Sequence, residues 1–280
     1  MRKAYISIAS LLLFGSVLMA QSPANRTAKT TAADVLAQMP AEKQAEYNKL
    51  INDLKGTGEE GVLMLVNMIN APGKGSNAQV DYALSGLTHY VMAKGEESAR
   101  LATANAYLKA LDMVNERETK AFIIRQLQIL GQDECIDALS AYLGDESLSG
   151  PAARALAANG SENAGKALQA ALMRRMGTPK TQKDIIVAIG EAQVEGTEDL
   201  LKALVGSGDE SMQKAVLHSL SRVGSKASIK ELADAAAAAG YTMTKTNANE
   251  AYIALLKRVA AQGDVKEVEK SYQSRTDSDP

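Results

Sequence analysis

The side chains that could do chemistry in this chain are few and scattered. It has two histidines, His89 and His218, and a single cysteine, Cys135. Asp133 and Glu134 precede the cysteine, and their negative charges raise a thiol pKa, so we expect a buried and unreactive side chain. One cysteine cannot form an internal disulfide. The residues predict no catalytic group, no cofactor site and no metal site.

One glycine-rich string has the spacing of a nucleotide-binding loop. Residues 56–61 match G-x-G-x-x-G, which cradles a dinucleotide pyrophosphate when it follows a strand and opens a βαβ unit. Here a helix is expected before the string, and the carboxylates of Glu59 and Glu60 would face the phosphates. We interpret the segment as a hinge between an N-terminal cap and the rest of the chain.

Five glycines mark the elements that must position any functional side chain, because each follows a short segment with the apolar spacing of a helix. They are Gly131, Gly160, Gly190, Gly224 and Gly263. The residue four places before each glycine is apolar, and the residue six places before it is polar. The apolar column is Leu127, Leu156, Ile186, Leu220 and Val259, and the polar column is Arg125, Arg154, Asp184, His218 and Lys257. The spacing predicts one buried and one exposed column, with each glycine ending its helix in the left-handed conformation.

A second helix is expected after each of these stops, and the pattern extends upstream less regularly. No strand pattern of alternating or aromatic residues is present, so the fold class is predicted to be all-α with about six helix pairs. The expected second helices cover residues 133–143, 162–176, 198–205 and 228–239, and the upstream pairs cover 59–70 with 79–93 and 97–114 with 118–130.

The helix pairs resemble HEAT repeats, including the PBS lyase-like kind. The resemblance rests on B-helices that end in Val-Gly or Ile-Gly, as at residues 187–190 and 221–224, and it covers residues 59–272. It implies a right-handed α-α superhelix, a solenoid. HEAT-like arrays serve as scaffolds, inhibitors and transport receptors, and a few are enzymes, such as phycobilin lyases and di-iron deoxyhypusine hydroxylases. The di-iron sites resemble paired His-Glu steps, and neither His89 nor His218 precedes a glutamate. We expect a protein that is not an enzyme.

The N-terminus has the three parts of a secretory signal peptide. Arg2 and Lys3 precede an apolar stretch over residues 5–19, and Ala20 supplies a small residue before the expected cleavage. No cysteine stands near that point to carry a lipid. We expect an exported bacterial protein, periplasmic in a Gram-negative source, without stable membrane insertion after cleavage.

The signal peptide over residues 1–20 is the first of five expected segments. The others are a flexible leader over residues 21–32, capping helices over 33–55 that start at an Asp34 N-cap, the repeat array over 56–272 and a disordered tail over 273–280.

Composition favours a protein or peptide as the partner. The chain has no Trp, two Phe and nine Tyr, and its net charge is −2. Carbohydrate platforms and single-stranded nucleic acid grooves depend on exposed aromatic faces, and phosphate backbones demand a basic excess. We therefore expect no nucleic acid partner, and we expect a monomer that binds a protein or peptide.

The charges suggest where that partner binds, because the glycine-ending helices are basic and the other helices lean acidic. The glycine-ending helices line the concave face of HEAT-like arrays, which predicts a mildly basic groove for an acidic segment. Ordinary solvation with ion pairs between the two kinds of helix remains an alternative. The groove would centre on Arg125, Arg154, His218, Arg222 and Lys257, and the same helices also carry Arg117, Lys120, Lys183, Lys214 and Arg258.

A second functional class stays open. Secreted HEAT-like arrays resemble modules joined to glycan-processing or haem-binding domains, so the chain could be an accessory module of a glycan-processing or other secreted enzyme system. A haem attachment motif, Cys-x-x-Cys-His, does not occur in the sequence.

Overall fold

The computed structural model describes residues 26–276, and over this range the chain forms fifteen α-helices and no strand. The all-α prediction is confirmed. Two short 3₁₀-helices, Asp133–Cys135 and Lys226–Ser228, precede α7 and α13. The α-helices are α1 (Ala28–Ala37), α2 (Gln44–Lys55), α3 (Gly58–Asn67), α4 (Ala78–Tyr90), α5 (Glu97–Met113), α6 (Arg117–Leu130), α7 (Ile136–Ser140), α8 (Ser149–Asn159), α9 (Glu162–Met173), α10 (Pro179–Ala192), α11 (Glu198–Lys202), α12 (Glu210–Val223), α13 (Ile229–Ala238), α14 (Ala248–Ala261) and α15 (Val265–Thr276).

The helices are arranged in two rows. From α2 to α14, each even-numbered helix packs against the next even-numbered helix, and we call this series the even row. The odd-numbered helices lie on the other side, where α1 packs on α3, α3 on α5, α7 on α9 and α13 on α15, and we call them the odd row. Each helix of the six successive pairs from α3–α4 to α13–α14 also contacts its own partner. The apolar core lies between the rows.

The two sequence columns separate as predicted. Every residue of the apolar column is at most 1 % exposed. In the polar column only Asp184 is half-buried, and its carboxylate accepts a hydrogen bond of 2.6 Å from the hydroxyl of Ser149 on α8. The other four residues, Arg125, Arg154, His218 and Lys257, are exposed. The repeat alignment therefore identifies the buried face of the even-numbered helices from α6 to α14.

Two of the five glycines have the predicted left-handed conformation. Gly160 ends α8 with φ 68°, and Gly263 follows the end of α14 with φ 99°. Gly131 and Gly224 also end their helices, but their backbones are extended, with φ −72° and −61°. A Cβ on Gly131 would lie 2.8 Å from the sulfur of Cys135, and one on Gly224 would lie 2.9 Å from a side-chain oxygen in the next element. Glycine is required at these two positions by close packing across the turn.

Gly190 does not end its helix, contrary to the prediction. Helix α10 continues to Ala192, and Gln193 takes the left-handed conformation with φ 51°. Gly190 is buried against α12, where a Cβ would lie 2.4 Å from Oγ and 2.7 Å from Cα of Ser219. The Ser219 hydroxyl donates a hydrogen bond of 2.7 Å to the carbonyl of Ile186. This glycine therefore allows two helices of the even row to approach closely.

The odd row is held together by polar side chains. Arg100 of α5 is 4 % exposed, and its guanidinium binds the Glu134 carboxylate at 2.7 Å and the Glu97 carboxylate at 2.9 Å. It also donates a hydrogen bond of 2.8 Å to the carbonyl of Leu130. Burial raises the pKa of the neighbouring Cys135 thiol to about 12, and the charge of Glu134 adds to this shift. Cys135 is thus the buried, unreactive side chain that the sequence predicts.

A similar tie joins α11 to the segment before α13. The Glu198 carboxylate accepts hydrogen bonds from the backbone N–H of Ser225, at 2.7 Å, and from the hydroxyl of Ser228. Lys226 then forms an ion pair of 2.9 Å with Asp264, which lies just before α15. Long polar side chains thus bridge successive elements of the odd row.

The predicted segment boundaries need correction at both ends. Residues 28–32 of the predicted leader form the start of α1, where Thr31 and Ala32 are buried. The N-cap is Thr27, whose hydroxyl accepts a hydrogen bond from the Thr30 N–H, while Asp34 lies inside the helix and pairs with Arg26 at 3.5 Å. Helix α15 runs to residue 276, into the predicted tail. The predicted signal peptide over residues 1–20 and residues 277–280 lie outside the described residues. Within the described part of the chain, no helix has the length and apolar character needed to cross a membrane.

Replacing Gly190 by alanine should separate α10 from α12. Alanine is the better helix former by about 1 kcal/mol, but the new Cβ would collide with the backbone of Ser219, and overpacking of this kind costs about 1–3 kcal/mol or more. We expect Gly190→Ala to lower the free energy of unfolding in urea titrations. Gly150→Ala is the matched control, because the nearest atom to its Cβ is 3.4 Å away. Equal stability of the two variants would contradict the close-packing role.

Protonation of Glu134 should destabilise the fold. Burial alone raises the pKa of Glu134, but hydrogen bonds from Arg100 and the Gln132 N–H outweigh it and hold that pKa below its usual value. A carboxylate with a lowered pKa stabilises the fold above its unfolded pKa of about 4.3, and this contribution is lost as the pH falls through the folded value. We expect Glu134→Gln to cost about 1–3 kcal/mol at pH 7 and to reduce the loss of stability in acid. The control is Glu97→Gln, at an exposed carboxylate, and identical acid titrations of both variants would refute this role.

Candidate functional site

The outer surface of the even row contains a cavity of about 620 Å³ above α12, between α10 and α14. The three helices run in the same direction. Lys183 of α10 bonds Ser211 near the start of α12, Arg222 of α12 bonds the Gly190 carbonyl near the end of α10, and Arg258 of α14 bonds the Ser221 carbonyl near the end of α12. First turns therefore form one end of the cavity and last turns the other. The first-turn end is lined by Lys183, Ser211, Lys214, Asn247 and Glu250, the middle by Val187, Ala215, Ala251 and Ala254, and the last-turn end by His218, Ser221 and Arg222.

The first-turn end of the cavity is positively charged. The half-buried Lys183 donates a hydrogen bond of 3.0 Å to the hydroxyl of Ser211. Lys214 is exposed, and within the described residues its ammonium forms no hydrogen bond or ion pair. Glu250, at the start of α14, supplies the one carboxylate of the lining. Two ammonium groups therefore face a single carboxylate at this end.

The last-turn end is neutralised by a carboxylate of the neighbouring helix. Glu191 lies 3.2 Å from the His218 ring nitrogen and 3.7 Å from the Arg222 guanidinium. Arg222 also donates a hydrogen bond of 2.8 Å to the carbonyl of Gly190, which ties α12 to α10. Arg222 thus takes part in packing within the even row, so it offers less charge to a ligand than the two lysines do.

A second cavity of about 500 Å³ lies on the other side of α10. The two cavities meet at Val187, whose side chain is 37 % exposed and lines both. The charged residues of the second lining are Arg154, Asp184 and Glu191, so carboxylates predominate there. The surface of the even row is thus basic on one side of α10 and acidic on the other.

The structure brings together only part of the predicted centre. His218 and Arg222 share the first cavity, and Arg154 lines the second. Arg125 lies over the ring of Phe122 at 5.9 Å, and Lys257 is exposed on α14 and lines neither cavity. The five residues occupy the same face of successive helices without converging on one site.

Lys183 and Lys214 line the first cavity but do not belong to the predicted centre, although they lie on the basic helices. Lys214, His218 and Arg222 are spaced four residues apart, and residues at that spacing share one face of a helix. This spacing was the available signal for Lys214. The repeat alignment does not identify Lys214, because the alignment selects a single polar position in each helix.

The ion pairs between helices run mainly within a row. Arg222 and His218 pair with Glu191 inside the even row, whereas Lys202 of α11 pairs with Glu231 of α13 at 3.2 Å inside the odd row. The alternative of ion pairs between basic and acidic helices therefore explains little of the charge pattern.

The glycine-rich string and the possible metal ligands do not form a binding site among the described residues. The string at residues 56–61 is a turn in which Gly56 ends α2 and Gly58 begins α3. Among the described residues, no group of three or more His, Cys, Asp or Glu side chains is placed to hold a metal ion. Searches of protein-family models, curated proteins and solved structures found no match to this chain.

Arg222 and Lys214 should differ in their contribution to stability. Removing the Arg222 side chain leaves the Gly190 carbonyl without its side-chain donor, which should cost about 0.5–1.5 kcal/mol, whereas Lys214 has no partner to lose. We expect thermal denaturation to give a lower Tm for Arg222→Ala than for Lys214→Ala, with the latter close to wild type. The reverse order would mean that Arg222 is free to serve a ligand and Lys214 supports the fold.

Proposed function

We propose that the chain is a HEAT-like α-solenoid with the even row on its concave side. Three observations support this architecture. The even-numbered helices pack in unbroken succession, six helix pairs follow one another, and the apolar column recurs buried at the same place in five even-numbered helices. Stacked pairs of this kind bury one continuous core and leave a long open surface.

On this architecture, we propose that the protein is a non-catalytic binding protein that presents the even row to a protein or peptide partner. The observation that carries the proposal is the pair of adjoining cavities that meet at Val187, because together they form an extended depression with apolar and charged parts. Such a surface suits a chain segment that lies across several helices, as in helical repeat proteins that bind peptides.

The proposed place of action is outside the cytoplasm. The basic, apolar and small-residue sequence of residues 1–20 supports export, and the near-neutral charge of the chain gives no support to a nucleic acid partner. A partner would then be another exported protein, or an exported segment of a membrane protein. We propose that the protein works as a monomer.

Charge reversal on the even row should abolish capture of the partner. Arg125, Arg154 and Lys257 are exposed, so their joint replacement by glutamate should leave the fold intact, which circular dichroism and a thermal melt can check. With the purified protein as bait in a periplasmic extract of the source organism, we expect the triple variant to retain at least tenfold less of the protein that the wild type captures.

The matched control reverses three exposed lysines outside the even row, Lys94, Lys266 and Lys270. The control should capture as much as the wild type, because its net charge change is the same and only the location differs. Equal losses in both variants would point to non-specific attraction, and an empty wild-type column would contradict a stable protein partner.

A further inference from the structure

The cavity above α12 has a positively charged end, and an apolar middle lies next to it. A ligand that fits both parts must carry a negative group beside an apolar group. We propose that the cavity recognises an internal acidic side chain, followed two residues later by an apolar side chain, in an extended segment of a partner protein. The inference rests on the proposed peptide-binding function and deepens it by naming the chemistry of the segment. In this proposal, the ammonium groups of Lys214 and Lys183 bind the acidic side chain of the segment.

The lysine end of the cavity is suited to a single carboxylate. Within the described residues the Lys214 ammonium has no partner, and the Lys183 ammonium lies 3.0 Å from the Ser211 hydroxyl. Both ammonium groups can therefore bind the same anion. Both residues are the fifth of their helices, so the two ammonium groups lie at the same end of the cavity. The Ser211 hydroxyl and the Asn247 amide, also in the lining, can complete the hydrogen bonds of a carboxylate.

The middle of the cavity is suited to an apolar side chain of moderate size. Ala215, Ala251 and Ala254 contribute only methyl groups, which leaves the depression open, and the exposed Val187 forms its wall toward the second cavity. Lys183 stands four residues before Val187 of this patch, a separation of about 6 Å along α10 at 1.5 Å per residue. Side chains two residues apart in an extended chain lie on one side at about 6.6 Å, which matches that separation.

The remaining charges explain why one carboxylate is preferred to a run of them. Arg222 at the far end already pairs with Glu191, which also contacts His218, so a second acidic side chain there would meet a guanidinium that is already paired. Glu250 lowers the positive potential at the lysine end. We therefore expect modest affinity and a requirement for both the acidic and the apolar residue.

The test begins with selection from a random dodecapeptide display library on the purified protein. We expect enriched peptides to carry Asp or Glu followed two residues later by an apolar residue. A representative peptide, synthesised with an amidated C-terminus, is then titrated calorimetrically. Replacing its acid by the matching amide, or its apolar residue by serine, should each weaken binding about tenfold, since losing one charge-assisted hydrogen bond or one buried side chain costs about 1.5 kcal/mol.

Three protein variants locate the site. Lys214→Gln should weaken binding of the synthesised peptide about three- to tenfold, and Glu250→Gln should strengthen it about two- to fivefold by removing the opposing charge. Lys94→Gln changes an exposed lysine away from the even row and should leave the affinity unchanged. A gain of affinity at Glu250 is informative, because a merely destabilised fold would not produce it.

The outcomes separate this inference from the proposed function. Peptides that bind without an acid-x-apolar pattern, or whose affinity ignores both Lys214→Gln and Glu250→Gln, overturn the inference and leave peptide binding standing. A selection that enriches no peptide at all contradicts the proposed function together with the inference. The inference would also be overturned if the peptide bound only with a free C-terminal carboxylate. The lysines would then bind the end of a chain and not an internal acidic side chain.

Discussion

Close backbone packing between α10 and α12 is the constraint on which the functional surface depends. Gly190 leaves no room for a Cβ beside Ser219, and this proximity fixes the separation of the two helices. At that separation the Arg222 guanidinium reaches the Gly190 carbonyl and the Lys183 ammonium reaches the Ser211 hydroxyl. The first cavity is therefore a product of helix packing, and its charged groups are held by the same contacts that hold the helices.

The two rows are stabilised by different means, and the difference bears on shape. In the even row, small residues such as Gly190 and Ser219 bring the backbones close, while in the odd row long side chains such as Arg100 span from one element to the next. Unequal spacing of two stacked layers favours curvature toward the closer layer. The unbroken packing of the even row from α2 to α14 supports the proposal that this row is concave.

Sequence reasoning was strongest where a property repeats along one helix. The apolar column could be predicted because each helix must bury one face, whatever its neighbours are. The roles of Gly131 and Gly190 could not, because they depend on Cys135 across a turn and on Ser219 in another helix. The same limit affected the candidate site. The repeat alignment identifies His218 by its position, but the Glu191 carboxylate that it contacts lies on α10 and is invisible to a one-helix pattern.

Ion pairs within the even row also reduce the positive charge that a bound segment would meet. A uniformly basic groove would attract any acidic segment, and salt would weaken it strongly. Here Glu191 pairs with Arg222, and carboxylates outnumber cations in the lining beyond Val187, so within the first cavity the cations without an ion pair are Lys183 and Lys214. In the proposed mode of binding, long-range attraction would be weak, and discrimination would depend on placing one carboxylate and one apolar side chain together. The surface we propose would therefore select a short pattern and would not bind acidic chains in general.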